Sequence, residues 1–401
     1  MEPPLRTATG GFTTRAVHAG APPEVDQHPV SPPIHPSATW GVDRSADLAA
    51  LLTDEVDGYV YGRYDNPTNT ALHAQVASLH GTESAWSFAS GTAAILATLE
   101  TVRRGGRILA ASQLYGGTHA LLRRQARLAG WEVDRADLGD AGAVSAALTD
   151  EHTVVYGETI GNPSLGVLAP DVADICRERG LTFVIDNTFA SPWLFRPAEA
   201  FAHGDLDLLV VESATKFLGG HGDVVAGVLA GPRSRVAEIR ETTYELGGSL
   251  GPFEAWLVAR GIQTLELRMS RASASAMAVA ERLAADTRVA SVTYPGLRRH
   301  PHHERAGELF GGRGYGAMLA FDLGGRQAAE AFADACSVFT RAASLGATRS
   351  LVIHPASTTH RQLGEADLGT AGVGPGLVRV SVGIEDTADL LADVDAALTA
   401  I

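Results

Sequence analysis

Cysteine is nearly absent from this sequence, which has two cysteines in 401 residues. Cys176 and Cys336 lie far apart and lack the paired spacing of zinc or redox sites, so we expect two reduced core thiols and no metal site. No run of about eighteen apolar residues occurs, and residues 1–11 lack the basic lead and apolar core of a secretion signal. We therefore expect a cytoplasmic protein that does not contact a membrane.

Positive charge is scarce as well. Lys and Arg total 32 against 46 for Asp and Glu, which gives a formal net charge of -14 at pH 7. Nucleic acid and anionic lipid would be repelled by this charge, so we expect neither as a partner. A Gly-x-Gly-x-x-Gly motif after the first strand of the predicted sheet is missing, which disfavours a nicotinamide-dependent dehydrogenase.

The length of the chain indicates two domains, because single cores stop growing at roughly 250–300 residues. Between residues 82 and 230, short apolar runs alternate with stretches of helical period. The alternation predicts an α/β fold with a mostly parallel sheet and helices on both faces. The predicted strands cover residues 107–111, 131–136, 153–158, 181–186 and 208–212, and the predicted helices cover 92–103, 118–128, 141–148 and 171–179.

Domain boundaries follow from changes in this rhythm. Residues 1–60 include a Pro- and His-rich opening without sustained period, which favours an extended N-terminal arm. Residues 61–252 form the predicted ligand-binding domain. From 253 to 401 a long helical stretch ends near residue 286, and strands follow near 289–294, 317–322 and 378–382. We expect a smaller α+β domain there.

Lys216 is the first candidate for chemistry. It follows a predicted buried strand, so it should lie at the carboxyl edge of the sheet, where open α/β sheets bind ligands. A partly desolvated lysine there is a plausible Schiff-base nucleophile, and the hydroxyls of Ser213 and Thr215 could hold a phosphate beside it. The alternative is an ordinary surface lysine after a strand.

Asp186 ends another predicted strand at the same edge, 30 residues before Lys216. That spacing is one helix-and-strand step, so both side chains can face one ring. A carboxylate beside a pyridine nitrogen favours the protonated, electron-withdrawing form of the ring. The alternative is that Asp186 caps the turn that follows it.

Two further segments precede predicted helices. Ser90, Gly91 and Thr92 are small, so the first helical amides could approach an anion and form a phosphate cradle. Tyr115 is followed by two glycines and could stack on a cofactor ring. A Ser-capped helix and simple loop packing are the respective alternatives.

Arg379 stands inside the otherwise apolar predicted strand at 377–383. Charges are rarely buried without a partner, so Arg379 should meet an anion in a cleft. A substrate α-carboxylate suits its bidentate fork. A structural ion pair with a carboxylate of the same domain is the competing explanation.

Together these motifs give a resemblance over roughly residues 14–386. The motifs are 61–68 (YGRYDNPT), 90–92 (SGT), 115–118 (YGGT), Glu158 with Asn162 and Pro163, 186–188 (DNT), 213–216 (SATK) and Arg379. With this ordered set the sequence resembles the Cys/Met-metabolism group of fold-type I pyridoxal-phosphate enzymes. That group contains cystathionine γ-synthases and γ-lyases, methionine γ-lyases and O-acylhomoserine sulfhydrylases. The resemblance implies pyridoxal 5′-phosphate on Lys216, a mostly parallel sheet of the seven-stranded type, and a homotetramer of two dimers.

The resemblance also implies roles for the cofactor side of the site. Tyr61 and Arg63 would reach the cofactor phosphate of the neighbouring subunit, so that each active site needs a dimer. The remaining phosphate contacts would come from the 90–92 segment, with amides of Gly91 and Thr92, and from the hydroxyls of Ser213 and Thr215.

On the substrate side, the resemblance implies that Asn162, Ser344 and Arg379 hold the α-carboxylate. Asn162 could instead shape the turn before Pro163, and Ser344 could cap a local loop. Lys216 would move protons at the α and β carbons, with Tyr115 as acid to the leaving group or base to the incoming amine.

Clues to the subtype conflict. Residues 344–360 (SLGATRSLVIHPASTTH) look most like the O-acylhomoserine sulfhydrylases, and cystathionine-handling relatives usually have a glutamate in place of Arg349. Methionine γ-lyases commonly have a cysteine in place of Gly117, whereas residues 61–64 look closer to the γ-lyases. The best interpretation is γ-replacement on an O-acylhomoserine. The alternatives are a methionine or cystathionine γ-lyase and, more remotely, a pyridoxal-phosphate binder without catalysis.

Overall fold

The computed structural model describes residues 10–20, 30–53, 55–201, 204–358 and 372–401. Three parts of the predicted arm, residues 1–9, 21–29 and 54, lie outside these ranges, and so do the last two residues of the 344–360 segment.

A large sheet occupies the first part of the chain. Within the described residues its seven strands are β1 (Ser84–Phe88), β2 (Arg107–Ala111), β3 (Val133–Ala136), β4 (His152–Glu158), β5 (Thr182–Asp186), β6 (Leu208–Glu212) and β7 (Gly227–Gly231). Their order is β1-β7-β6-β5-β4-β2-β3, and only the two pairings of β7 are antiparallel. Every residue of β5 and β6 is buried, as expected for parallel strands covered on both faces. The prediction of a mostly parallel α/β sheet is confirmed.

Helices lie before, between and after these strands. In the described part of the chain they are α1 (Phe12–His18), α2 (Ser45–Leu52), α3 (Pro67–His80), α4 (Gly91–Val102), α5 (Gly116–Ala129), α6 (Ala141–Ala147), α7 (Asp171–Glu178), α8 (Ser191–Leu194), α9 (Pro197–Ala200), α10 (Arg233–Leu246), α11 (Pro252–Ile262), α12 (Leu265–Ala284), α13 (His303–Phe310), α14 (Arg326–Ala335) and α15 (Thr387–Leu398). The four helices predicted between strands correspond to α4, α5, α6 and α7.

The arm predicted as extended is only partly so, because α1 and α2 lie within residues 1–60. Tertiary contact explains α1: Ala16 is fully buried, and the side chain of Gln75 in α3 donates to its carbonyl at 2.6 Å. Contacts of this kind are invisible in a local sequence pattern. Residues 32–44 do run as extended chain, and Trp256 donates to the Pro32 carbonyl there.

A second, smaller sheet follows and has its own hydrophobic core. Its strands are β8 (Ser291–Thr293), β9 (Met318–Asp322), β10 (Thr340–Arg341), β11 (Leu351–Ile353) and β12 (Leu377–Ser381), in the order β10-β11-β12-β9-β8. The long helical stretch predicted before it is two helices, because the chain turns at Gln263 and Thr264 between α11 and α12. The α+β character of this part is confirmed, whereas the boundary at residues 252–253 stays a prediction.

Strand register sets the position of the candidate site. Glu158 at the end of β4 stands beside Asp186 at the end of β5, and Asp186 stands beside Val211 of β6. The carboxyl ends of the three strands therefore meet at one edge, where the turn that carries Lys216 follows β6. In the described residues, no helix combines the length and the apolar character needed to cross a bilayer.

Candidate active site

A cavity of about 1010 Å³ lies at this edge, between the first sheet and the second domain. Most of the residues predicted for the site line it. They are Ser90, Gly91, Thr92, Tyr115, Asn162, Asp186, Ser213, Thr215, Lys216, Ser344 and Arg379. Two predicted residues, Tyr61 and Arg63, do not line it.

Lys216 projects into the cavity from the turn after β6. Its Nζ donates to the Ser344 hydroxyl at 3.0 Å. Burial, assisted by the positive charge of Arg379, lowers the pKa of the Lys216 amine to about 8. A substantial fraction of the amine is therefore neutral, and so nucleophilic, near pH 8.

Arg268 fixes the turn that carries this lysine. Its guanidinium is buried and donates to the carbonyls of Phe217 at 2.7 Å and Gly261 at 2.7 Å. These bonds join the turn to the end of α11. The base of the Lys216 side chain is consequently held by a buried hydrogen-bond network and does not depend on a mobile loop.

Asp186 is buried at the end of β5. One carboxylate oxygen accepts from the Thr188 amide at 3.0 Å, and the other accepts from the Tyr156 hydroxyl at 3.2 Å. Burial raises the pKa of Asp186 to about 6. Among the described residues no cation pairs with this carboxylate, so a cationic group in the cavity would be its electrostatic complement.

The start of α4 forms an anion-binding corner beside Ser213. Ser90 caps the helix by accepting from the Ala93 amide at 3.1 Å, whereas the first amides of a helix have no acceptor within it. A Cβ at Gly91 would lie 2.8 Å from the Cβ of Ser213, closer than such atoms approach. Glycine is thus required for the helix start to come this near to the Ser213 hydroxyl.

Thr215 is arranged differently from the prediction. Its hydroxyl donates to the Ala226 carbonyl at 3.2 Å and accepts from the Ala226 amide at 2.9 Å. The hydroxyl proton is therefore already engaged, and Thr215 would have to rotate to donate to a phosphate. Its role in phosphate binding stays a prediction.

Arg379 reaches the cavity from β12 and is 3% exposed. It donates to the Asn162 side-chain oxygen at 2.9 Å and to the Ser344 carbonyl at 3.3 Å, and burial lowers its pKa to about 10. No carboxylate among the described residues pairs with it, which removes the support for the alternative of a structural ion pair. A buried guanidinium with only neutral acceptors is suited to bind an anion from the cavity.

Tyr115 precedes α5 and is 44% exposed, so its ring faces the open side of the cavity. Its ring lies directly over Gly117, where any Cβ would collide with it. The Tyr115 amide donates to one oxygen of Glu158 at 2.8 Å. The absence of a side chain at Gly117 therefore leaves room for the Tyr115 ring.

Tyr61 and Arg63 lie elsewhere on the same chain. Tyr61 is 43% exposed, and Arg63 donates to the Tyr244 carbonyl at 2.6 Å while its guanidinium lies over the ring of Tyr64. Neither residue lines the cavity of its own chain.

Some cavity residues had no predicted role. Glu158 and Thr188 line the cavity, and Thr188 accepts from the Ser213 amide at 2.8 Å. Glu158 carried a usable signal, since it ends its strand in the same way as Asp186 ends the next one. A second overlooked signal is that Lys216 is the only lysine in the sequence. In the described ranges, His, Cys, Asp and Glu side chains do not form a group of three or more that could hold a metal ion.

The arrangement fits pyridoxal 5′-phosphate, the cofactor that the sequence implied. An amine with lowered pKa, a buried carboxylate without a cation and a helix start that only glycine permits lie around one cavity. They match, respectively, the aldehyde, the ring nitrogen and the phosphate of that cofactor.

Comparisons with known proteins agree with this fit. A family model described as Cys/Met metabolism PLP-dependent enzyme matches residues 13–399. The chain is 41% identical to an L-methionine gamma-lyase of Pseudomonas putida, over 97% of this chain and 98% of that protein. It is 35% identical to an O-succinylhomoserine sulfhydrylase of Pseudomonas aeruginosa, over 97% and 96%.

A solved structure gives the same result. A Campylobacter jejuni protein that contains N′-pyridoxyl-lysine-5′-monophosphate superposes with a TM-score of 0.91 at 27% identity, covering 97% of this chain and all of that one. The protein is therefore an enzyme that depends on pyridoxal phosphate and acts in transsulfuration chemistry. Because the family match spans nearly the whole sequence, the chain belongs to the Cys/Met metabolism PLP-dependent enzymes.

Proposed function

We propose that the enzyme catalyses γ-replacement on an O-acylhomoserine, with sulfide or a thiol as acceptor. The observation that carries this proposal is Arg349, which is exposed and lines the cavity. Among the described residues no carboxylate lies within ion-pair distance of it, not even Asp223 on the same cavity wall. Its charge favours an anionic tail such as succinyl and repels the distal ammonium of cystathionine. The relative named as an O-succinylhomoserine sulfhydrylase supports this choice.

The residues divide the work as follows. Pyridoxal phosphate, when bound, supplies the electron sink for the charge left at the substrate α carbon. Arg379, oriented by Asn162, binds the substrate carboxylate. The Nζ of Lys216 removes the α proton and, in a later step, a proton from the β carbon, so that the γ substituent can leave. After the thiol has added, the same amine returns protons to both carbons, and the Ser344 hydroxyl keeps that amine in place. The Tyr115 hydroxyl donates a proton to the carboxylate that leaves as the Cγ–O bond breaks, and sulfide or the thiol forms the new Cγ–S bond.

Methionine γ-elimination is the second candidate, because relatives named as L-methionine gamma-lyases are 41% and 37% identical to the chain. Gly117 argues against it. The Tyr115 ring occupies the space that a side chain at position 117 would need, and methionine γ-lyases commonly have a cysteine there. A cysteine at position 117 would require the Tyr115 ring to move from the place that it has in this chain.

A substrate panel separates the two candidates. O-acetylhomoserine, O-succinylhomoserine, cystathionine and methionine are offered separately, with and without sulfide, and homocysteine and ketobutyrate are quantified. We expect homocysteine from an O-acylhomoserine plus sulfide. Strong ketobutyrate from methionine alone, without homocysteine from either ester, would replace the first candidate by the second.

Arg349→Glu tests the observation behind the proposal. We expect KM for O-succinylhomoserine to rise roughly tenfold, since an exposed charge pair contributes about 1 kcal/mol and reversal also adds repulsion. KM for the neutral acetyl ester should change much less. Arg298→Glu is the matched control, because Arg298 is exposed but does not line the cavity. Equal changes in KM for both esters would show that Arg349 does not distinguish between the two acyl groups.

We also propose that the active site is completed by a second copy of the chain, in a homotetramer that works in the cytoplasm. Support comes from Tyr61 and Arg63, which stand outside the cavity of their own chain, and from two free, buried cysteines that agree with a reducing compartment.

Mixing the inactive variants Arg63→Ala and Lys216→Ala tests whether two chains share an active site. Random re-pairing should restore about a quarter of wild-type activity, since half of the dimers then hold one intact site. No recovery after verified subunit exchange would contradict a shared site.

A further inference from the structure

Two loops meet beside the cavity at the carboxyl edge of the first sheet. One loop, residues 112–115, follows β2 and ends at Tyr115. The other, residues 159–166, follows β4 and carries Asn162. Because β2 and β4 are neighbours in the sheet, the loops lie side by side, and Glu158 at the end of β4 lies between them.

The Glu158 carboxylate bonds to both loops. One oxygen accepts from the Tyr115 amide at 2.8 Å, and the other accepts from the Asn162 amide at 2.9 Å. The side chain of Asn162 then accepts from Arg379 at 2.9 Å. A single carboxylate thus connects the tyrosine on the open side of the cavity to the arginine at its base.

Leu114, Ile160 and Leu165 anchor these two loops in the hydrophobic core, but the space beside Glu158 is open. Glu158 lines the main cavity and also a second cavity of about 370 Å³, which Gln113, Gly161 and Ser164 line as well. With open space on both sides of Glu158, its hydrogen bonds determine the local positions of the Tyr115 and Asn162 backbone. The side chains of Gln113 and Ser164 also touch, but each is two residues away from Tyr115 or Asn162.

The environment of Glu158 is unusual for a carboxylate. Burial and the nearby charge of Asp186 raise the pKa of Glu158 well above its ordinary value, while the two amides oppose that rise. Among the described residues no cation is paired with it. A partly buried carboxylate that takes its hydrogen bonds from backbone amides alone is suited to hold backbone, because charge-assisted bonds of this kind are strong and directional.

We propose that Glu158 is a positioning residue that sets the Tyr115 hydroxyl and the Asn162–Arg379 pair at their working separation. The inference rests on the proposed roles of Tyr115 and Arg379. Through Asn162, Glu158 controls how well the substrate carboxylate is bound. Through Tyr115, it controls how well the leaving group is protonated.

Kinetic double mutants of the holoenzyme test this division. Glu158→Ala frees both amides, so KM should rise roughly tenfold and kcat should fall roughly tenfold, the scale of a lost hydrogen bond to a charged group. In an Asn162→Ala background the same change should raise KM no further but still lower kcat. In a Tyr115→Phe background it should lower kcat no further but still raise KM. Glu158→Gln keeps one acceptor oxygen, so one parameter should change more than the other.

Asp140→Ala is the matched control. The Asp140 carboxylate also accepts from two backbone amides, those of Gly142 at 2.9 Å and Ala143 at 3.3 Å, but it does not line the main cavity. We expect kcat and KM to stay within about twofold of wild type, since only the cap of a surface helix is lost. Kinetics are measured with whichever amino acid the wild-type enzyme turns over fastest, so failure of the proposed subtype changes the substrate but not the comparison.

Hydrogen exchange gives a readout that does not depend on turnover, and the measurement on the wild-type enzyme does not depend on the folding of a variant. In the wild-type holoenzyme the amides of Tyr115 and Asn162 should exchange slowly, and in Glu158→Ala at least roughly tenfold faster. Fast exchange of both amides in wild type would overturn the inference. Additive effects in both double mutants, or effects no larger than those of Asp140→Ala, would overturn it as well.

Discussion

Replacing Asn162 by aspartate would separate the stability of the fold from the binding of substrate. In the structure the Asn162 side-chain oxygen accepts from the buried Arg379 guanidinium at 2.9 Å, and no carboxylate among the described residues competes for that cation. Asn162→Asp is nearly isosteric, but it gives Arg379 an anionic partner. The arginine should then be less able to bind a second carboxylate from the cavity.

The magnitude follows from Coulomb's law. A substrate carboxylate about 5 Å from the new one, at an effective dielectric constant of about 20, is repelled by about 3 kcal/mol, which is roughly a hundredfold in binding. Asn162→Ala removes one neutral acceptor from a cavity that water can enter. That change should therefore cost only about 1–2 kcal/mol, or roughly tenfold in KM.

The assay compares KM for the preferred amino acid with the thermal midpoint of each holoenzyme. We expect Asn162→Asp to have the higher KM of the two variants but a midpoint no lower than that of Asn162→Ala, because the new ion pair satisfies the buried arginine. A KM for Asn162→Asp within about threefold of wild type would refute the assignment of Arg379 as the carboxylate anchor.

Two more outcomes are expected. In the cofactor-free protein, the rate at which an amine-reactive reagent labels Lys216 should rise with pH. The midpoint of that rise should lie near the Lys216 pKa of about 8, which burial and Arg379 set. Arg379→Met should move that midpoint to higher pH, and an unmoved midpoint would show that the arginine does not act on Lys216. Gly220→Ala should lower the thermal midpoint more than Gly247→Ala, since both glycines have positive φ, 71° and 73°, but only at position 220 would a Cβ collide with Arg268. Equal decreases in the thermal midpoint would mean that backbone strain alone determines the loss of stability.

The sequence was sufficient to predict the elements that carry the site. Buried runs such as residues 208–212 appear as unbroken apolar stretches because both faces of a parallel strand are covered. The strands Ser84–Phe88 and Gly227–Gly231 were not predicted. They pair with each other across more than a hundred residues, and the second is a short segment bounded by glycines, so its strand character comes from the partner.

The candidate site was predictable where a residue ends a strand, lies in the turn after a strand or begins a helix. Asp186, Lys216 and Gly91 are of this kind, and all three line one cavity. The role proposed for Glu158 could not be read from the sequence, because it depends on two loops that are brought together by the order β4-β2 in the sheet. Likewise, the engagement of the Thr215 hydroxyl by Ala226 depends on where the chain returns after the lysine turn.

Reductive trapping shows whether Lys216 carries pyridoxal phosphate, on which the other roles in the site depend. The purified holoenzyme is reduced with borohydride, digested and examined by mass spectrometry. Because the chain contains no other lysine, a phosphopyridoxyl group on an ε-amino group can only be at position 216. We predict that the peptide around Lys216 carries this group at close to one per chain and that visible absorbance is lost on reduction. If an enzyme that is active before reduction yields an unmodified Lys216 peptide afterwards, the cofactor is not carried by Lys216.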